Sequence, residues 1–160
     1  MTFVVDGTNG LTFPNSTTQA SAGKVLQVVN TILSTYTSTS SSSPVTTGLS
    51  ISITPTSATS KILSTTSLNG CNCSNNNAFR FDIFRNGSSI IQLDDIFGYL
   101  AQGGNMSWGS QYLDSPATTS ATTYALYFYS QTGASAVYFN NYYGASGRTK
   151  SLFTAMEIAA

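Results

Sequence analysis

Histidine is absent from this chain of 160 residues, and charged side chains are scarce. Without histidine, one chain cannot assemble the Ser-His-Asp or Cys-His arrangements of nucleophilic catalysis. Charged residues make up 8% of the sequence, and six Lys and Arg balance six Asp and Glu. A net charge of zero leaves no basic footprint for nucleic acid. No run of 18 apolar residues occurs, so no membrane-spanning helix is predicted.

The few residues that could carry chemistry are two cysteines and six acids. Cys71 and Cys73 are separated by one residue, so a disulfide between them would be strained. Because the chain has no His and no further Cys, the pair also falls short of a zinc site. The adjacent acids Asp94 and Asp95 point to opposite faces if they lie in a strand, whereas a glycosidase needs two converging carboxylates. We therefore predict free thiols in a loop or at a strand end, no metal, no cofactor and no enzymatic activity.

Neutral polar residues and short alternating apolar runs make up most of the chain. Residues 49–54 alternate between apolar and polar side chains, and residues 78–85 do the same, which is typical of half-buried strands. Asn86–Gly87 supplies the positive φ angles of a tight hairpin turn, and residues 89–93 return as its second strand. The whole pattern gives eight to ten short strands and no convincing helix. It predicts an all-β fold, an antiparallel β-sandwich of jelly-roll type.

Three further assignments follow from the same pattern. Residues 61–68 are predicted to form a strand, and residues 69–77, which hold both cysteines, a polar loop. Residues 136–139 are expected to pair with the aromatic strand at residues 124–129 across a turn at residues 131–133. Trp108 is assigned to the core rather than to a sugar-binding platform, because a single Trp in a sandwich is more often buried.

The aromatic strand at residues 124–129 has apolar side chains on both of its faces. A sandwich strand with one face in water should instead be polar at alternate positions. Both faces therefore need cover, and a second copy of the chain is the expected source for one of them. We predict a subunit interface at Tyr124, Tyr127 and Tyr129. The alternative is a central strand between two layers of one monomer.

Residues 1–23 differ from the rest of the chain, which we assign to a head domain at residues 24–160. Short apolar patches flank a turn-rich sequence and cannot bury themselves. We predict an extended N-terminal arm that docks on a partner, and a frayed terminus is the alternative. The predicted docking residues are Phe3, Val5, Leu11, Phe13 and Pro14.

A second candidate surface is the loop at residues 140–150. Its Asn, Tyr and Gly residues have the chemistry of an adaptable recognition surface. The predicted contacts to a glycan or a neighbouring protein are Asn141, Tyr142, Tyr143 and Arg148. Alternatively, the two tyrosines pack under the loop or in a subunit contact.

Several segments, in this order, resemble the fibre and virion structural proteins of tailed phages, especially those of marine and cyanobacterial phages. Residues 6–19 (DGTNGLTFPNSTTQ) are similar to a linker in these proteins, and residues 23–29 (GKVLQVV) to the start of the globular module that follows it. The other segments are residues 53–63 (ITPTSATSKIL), 112–124 (YLDSPATTSATTY) and 156–159 (MEIA). The resemblance covers nearly the whole chain, with gaps at residues 71–77 and 94–109.

This resemblance implies a non-enzymatic protein at the virion surface. It also implies a homotrimer whose sandwich head is of the C1q or tumour-necrosis-factor type and contacts other capsid or tail proteins. In long fibres the linker follows an extended shaft, whereas here it begins at Asp6. A short fibre, a spike and a capsid decoration protein therefore remain open. A receptor-binding tip that recognises a host surface polysaccharide is the alternative function.

Overall fold

The computed structural model describes residues 4–6, 10–12, 18–19, 24–74, 77–96, 105–133, 135–141 and 149–160, and these residues contain strands but no helix. Their strands are β1 (Val4–Asp6), β2 (Gly10–Thr12), β3 (Thr18–Gln19), β4 (Val25–Leu33), β5 (Thr37–Thr39), β6 (Val45–Ile53), β7 (Lys61–Cys73), β8 (Phe79–Arg85), β9 (Ser88–Ile96), β10 (Met106–Asp114), β11 (Thr122–Ser130), β12 (Val137–Phe139) and β13 (Ser151–Ile158).

Strands β4 to β13 form two antiparallel sheets. The first sheet has the order β4-β13-β7-β12-β5, with β10 also paired to β7, and the second has the order β6-β11-β8-β9. Residues 62–67 of β7 pair with both β13 and β10, so these two strands lie on opposite edges of β7. Counting the eight long strands in chain order gives 1-8-3-6 in one sheet and 2-7-4-5 in the other. This is the interleaved order of a jelly roll, so the predicted fold is confirmed.

The core lies between the two sheets and is filled by alternate residues of each strand. In β6, Leu49, Ile51 and Ile53 are buried while the residues between them are exposed, as the alternation predicted. Phe81 of the second sheet stacks on Trp108 of the first, with ring centroids 6.0 Å apart. Trp108 therefore packs against the core, as predicted.

The hairpin predicted at Asn86–Gly87 joins β8 to β9. Asn86 has a φ of 49° and Gly87 a φ of 85°. Positive values at both turn residues match the twist of the flanking strands, which explains the choice of Asn-Gly. The register pairs Arg85 with Ser88 across the turn.

Two predictions about connections are wrong. Residues 69–73 continue β7 instead of forming a loop, because β10 and β12 pair with this part of the strand and satisfy its backbone. Strand β12 does not pair with β11, since the chain crosses to the first sheet, where β12 lies between β5 and β7. Both cysteines are therefore in a strand, free and buried.

The three strands before Lys24 form a small antiparallel sheet of their own. Strand β1 pairs with β2, which places Val5 opposite Leu11, and β2 pairs with β3. The backbone here folds back on itself, and the docking role of residues 1–23 stays a prediction. Phe3, Phe13 and Pro14 lie outside the described residues.

Candidate functional site

The two ends of the sandwich carry different parts of the chain. At one end, Val25 pairs with Ile158, Ile158 pairs with Lys61, and residues 1–23 join the head at Lys24. We call this the tether end. At the opposite end, β7 finishes and β8 begins, and Ser130 pairs with Phe79. We call this the loop end, because the connections at residues 74–78, 97–105, 131–136 and 140–150 join strands there.

Asparagine side chains bond to one another beneath the loop end. The Nδ2 of Asn141 donates to Oδ1 of Asn72 (3.2 Å), and the Nδ2 of Asn72 donates to Oδ1 of Asn105 (2.6 Å). Asn72 and Asn141 are both buried. Buried amides need such partners, because an unpaired polar group inside a protein costs about 1–3 kcal/mol.

A second set of hydrogen bonds holds the residues that flank the loop at residues 140–150. The side chain of Asn140 donates to the carbonyl oxygen of Leu33 (2.9 Å) and accepts from the Ser151 hydroxyl (2.7 Å). The backbone N–H of Asn69 donates to the same hydroxyl oxygen (2.9 Å), and its side chain donates to the carbonyl oxygen of Lys150 (2.7 Å). Both ends of the loop are therefore fixed to the sandwich by neutral hydrogen bonds.

A third cluster holds the connection between β11 and β12. The Nδ2 of Asn77 donates to the Ser130 hydroxyl (2.9 Å) and to the carbonyl oxygen of Ser135 (2.8 Å). Its Oδ1 accepts from the Thr132 hydroxyl (3.0 Å). Segments rich in asparagine are typical of loops. The sequence pattern therefore did not indicate that Asn72, Asn77, Asn140 and Asn141 hold the loop end together.

The predicted recognition surface is placed only in part. Asn141 is 8% exposed and belongs to the buried network, so a surface role for it is wrong. Tyr142, Tyr143 and Arg148 lie outside the described residues. The described residues that flank this segment of the sequence form a hydrogen-bonded base, which fixes both ends of the connection.

The predicted interface residues of β11 divide between two faces. Tyr124 is fully buried in the core of one chain, where its hydroxyl donates to Oδ2 of Asp114 (2.7 Å). Burial and this carboxylate both raise the pKa of Tyr124. An interface role for Tyr124 is therefore wrong, because a partner cannot reach it.

Tyr127 and Tyr129 lie on the outer face of the second sheet and already have partners within the chain. The ring of Tyr127 stacks on Phe84 with centroids 3.9 Å apart. Tyr129 is 8% exposed, the guanidinium of Arg80 lies 5.9 Å from its ring centroid, and its hydroxyl donates to Asp82 (3.3 Å). A contact between copies at these two tyrosines stays a prediction.

A buried carboxylate fixes the tether end. Glu157 is 0% exposed and accepts hydrogen bonds from the side chain of Gln27 (2.6 Å) and from the backbone N–H and hydroxyl of Thr56 (both 2.7 Å). Burial alone would raise the pKa of Glu157, but these hydrogen bonds outweigh it and lower the pKa to about 2. The ionised carboxylate joins β4, the loop after β6 and β13.

We expect the stability of the head to fall in acid through Glu157. Because its pKa is lower in the folded chain than in the unfolded one, its contribution is complete above about pH 5 and is lost as the pH falls toward 2. Glu157→Gln should cost about 2 kcal/mol at pH 7 and much less at pH 2. Urea unfolding at several pH values measures this. An equal cost at both pH values would contradict the assignment.

The thiols are poorly placed for reactivity. Burial raises the pKa of Cys71 to about 12, which disfavours the nucleophilic thiolate. The Cys73 thiol donates to the carbonyl oxygen of Asn77 at 3.2 Å. The arrangement of both residues is that of packed core side chains.

Comparisons with known proteins give only distant structural likenesses. No family model and no curated protein matches the chain. Among solved structures, the crystal structure of the infectious bursal disease virus VP2 subviral particle is similar to 82% of this chain, with a TM-score of 0.41 and 14% identity. The likeness spans 39% of that VP2 chain. At this TM-score and identity it assigns neither a family nor a function.

The described residues lack both a membrane-spanning helix and a cluster of metal ligands. Nowhere in the ranges given above is there a helix of the length and hydropathy needed to cross a bilayer. In the same ranges, no three His, Cys, Asp or Glu side chains are grouped as metal ligands would be.

Proposed function

We propose that this chain is a non-enzymatic structural protein of a phage virion, a homotrimeric component of the particle surface. The observation that carries the proposal is the separation of the two ends of the sandwich. The segment that resembles the phage linker joins the head at the tether end, and the strands that the connection rich in Asn and Tyr links have their adjoining ends at the loop end. A head of this kind, docked through residues 1–23, presents its loops away from the particle.

The hydrogen bonding of the head supports a role outside the cell. Its buried polar groups are mostly neutral amides and hydroxyls, and such contacts change little with salt because they carry no charge to screen. A short fibre, a spike and a capsid decoration protein all fit this proposal.

The second candidate function is a receptor-binding tip for a host surface polysaccharide. The loop with Tyr142, Tyr143 and Arg148 joins strands at the end opposite the tether, where a docked head is most accessible. Saturable binding of purified protein to host cells, reduced by Tyr142→Ala and Tyr143→Ala together, would favour this function. Reducing-end release from the polysaccharide would instead indicate an enzyme.

Docking is expected to depend on the N-terminal segment. Deleting residues 1–23, or introducing Val5→Asp with Leu11→Asp in the full chain, should abolish incorporation onto particles that lack the protein. The thermal unfolding of the head should be unchanged in the double variant. The Tyr142→Ala and Tyr143→Ala variant serves as the control and should dock normally. If the truncated head still incorporates normally, the docking role of residues 1–23 is wrong.

A further inference from the structure

Large apolar side chains are exposed on the first sheet. Among the described residues they are Val25, Leu26, Val28 and Ile32 of β4 and Leu113 of β10. Val28 is 57% exposed and Leu113 is 49% exposed. An outer sheet face that meets water is expected to be polar at these alternate positions.

The strand register joins these residues into a continuous row. Val28 pairs with Met156, Met156 pairs with Leu63, and Leu63 pairs with Leu113. These four residues form the apolar row. It crosses four neighbouring strands, a width of roughly 14 Å at the usual spacing between strands.

Toward the loop end, the surroundings of the apolar row are neutral. The next row on the same face is Asn30, Thr154, Thr65 and Gln111, and the one after it is Ile32, Leu152, Ser67 and Gly109. No residue of these three rows carries a charge. Toward the tether end, the adjacent row is Val25, Ile158 and Lys61, of which only Lys61 is charged. Nucleic acid, an acidic peptide or an anionic membrane would need a cluster of basic side chains here, and the single Lys61 at the border of the apolar row does not supply one.

We infer that this outer face of the first sheet is where copies of the chain associate. A second copy offers a neutral partner, because the chain has six basic and six acidic residues and no net charge. Four strands of about nine residues cover roughly 400–500 Å² per chain. Three such faces that meet at the axis of a trimer bury roughly 1,200–1,500 Å² in total, which exceeds the roughly 1,000 Å² that a specific interface needs.

The second sheet is less suited to this contact. Tyr127 is stacked on Phe84 and Tyr129 is covered by its own chain, so their aromatic surface is largely used within one copy. In the apolar row, by contrast, about half of the surface of Val28 and of Leu113 is exposed to water. The inference rests on the self-association in the proposed function and does not depend on the virion role.

The test places charge on this face in the full chain. Val28→Glu with Leu113→Glu should weaken self-association by roughly a hundredfold or more, because two carboxylates would be buried without partners. Both side chains are about half exposed in one copy, so the head should fold normally by circular dichroism. Ser50→Glu with Ser52→Glu adds the same charge to the exposed positions of β6 and should keep the wild-type mass. Sedimentation velocity measures all three proteins.

A cross-linking experiment reads the contact directly. Val28→Cys and Leu113→Cys variants should give covalent oligomers with a short bis-maleimide, while Ser52→Cys should not. The native cysteines are buried and serve as a silent background.

Two results would overturn the inference. One is a charged double variant that keeps both the wild-type mass and the wild-type dissociation constant. The other is a wild-type chain that is monomeric. If the double variant of such a monomer makes residues 1–23 more accessible to protease, the face is covered by the N-terminal segment of the same chain. Particle incorporation is measured separately. If the charged double variant still self-associates while Val5→Asp with Leu11→Asp abolishes docking, only the inference fails and the docking role stands.

Discussion

Replacing Asp114 by alanine is expected to lower the free energy of unfolding by about 3–5 kcal/mol. Asp114 is buried at the end of β10 and accepts two hydrogen bonds from Nη1 of Arg85, at 2.8 and 3.0 Å. It also accepts a hydrogen bond from the buried hydroxyl of Tyr124 (2.7 Å). Because Asp114 belongs to the first sheet and its partners to the second, this group joins the two layers. Its removal leaves a cation and a hydroxyl unpaired.

The matched control is Tyr124→Phe, which removes one hydroxyl and keeps the ion pair. It should cost about 1–2 kcal/mol in the same urea titration. If Asp114→Ala cost no more than this control, the ion pair would contribute nothing and the two sheets would be held by apolar packing alone.

Gly70→Ala is expected to cost about 3 kcal/mol or more. Gly70 has a φ of +61°, where alanine costs about 1–2 kcal/mol, and overpacking adds about 1–3 kcal/mol. A Cβ at this position would lie 2.5 Å from the carbonyl oxygen of Asn141 and 2.8 Å from its nitrogen. Backbone cannot move aside as a side chain can, so the base of the loop at residues 140–150 would shift.

Gly87→Ala is the control for Gly70→Ala. Gly87 also has a positive φ, of +85°, but a Cβ at this position would have nothing within 4 Å. The substitution should therefore cost only the backbone strain, about 1–2 kcal/mol. Equal costs at the two positions, measured by urea unfolding, would show that the close approach of Gly70 to Asn141 does not constrain the loop end.

The parts of the fold that sequence predicted are those set by neighbouring residues. The alternation of residues 49–54 fixed the inward face of β6, since side chains in a strand alternate with a period of two. Asn86–Gly87 predicted its hairpin because the turn needs two positive φ angles. Each of these signals is complete within a few residues.

The parts that sequence missed depend on residues far apart in the chain. Asn72 and Asn141 are 69 positions apart, and only the fold brings their amides together. The continuation of β7 through Cys71 and Cys73 likewise depends on pairing with β10 and β12. Composition assigned these polar residues to loops, whereas tertiary hydrogen bonds make them part of the interior.

The sequence also predicted Tyr124 in the contact between copies, whereas the structure buries this side chain within one chain. An aromatic strand is conspicuous in the sequence, whereas Val28, Leu63, Leu113 and Met156 are ordinary apolar residues in four separate segments. They form a row only because three strand pairings bring them into register. The strand order thus decides which apolar surface stays in water.

The mass of the full chain in solution tests the central claim, that copies associate to cover exposed apolar surface, most directly. Sedimentation at micromolar concentration should give a folded species of three times the mass of one chain. A well-folded species with the mass of a single chain would contradict the account.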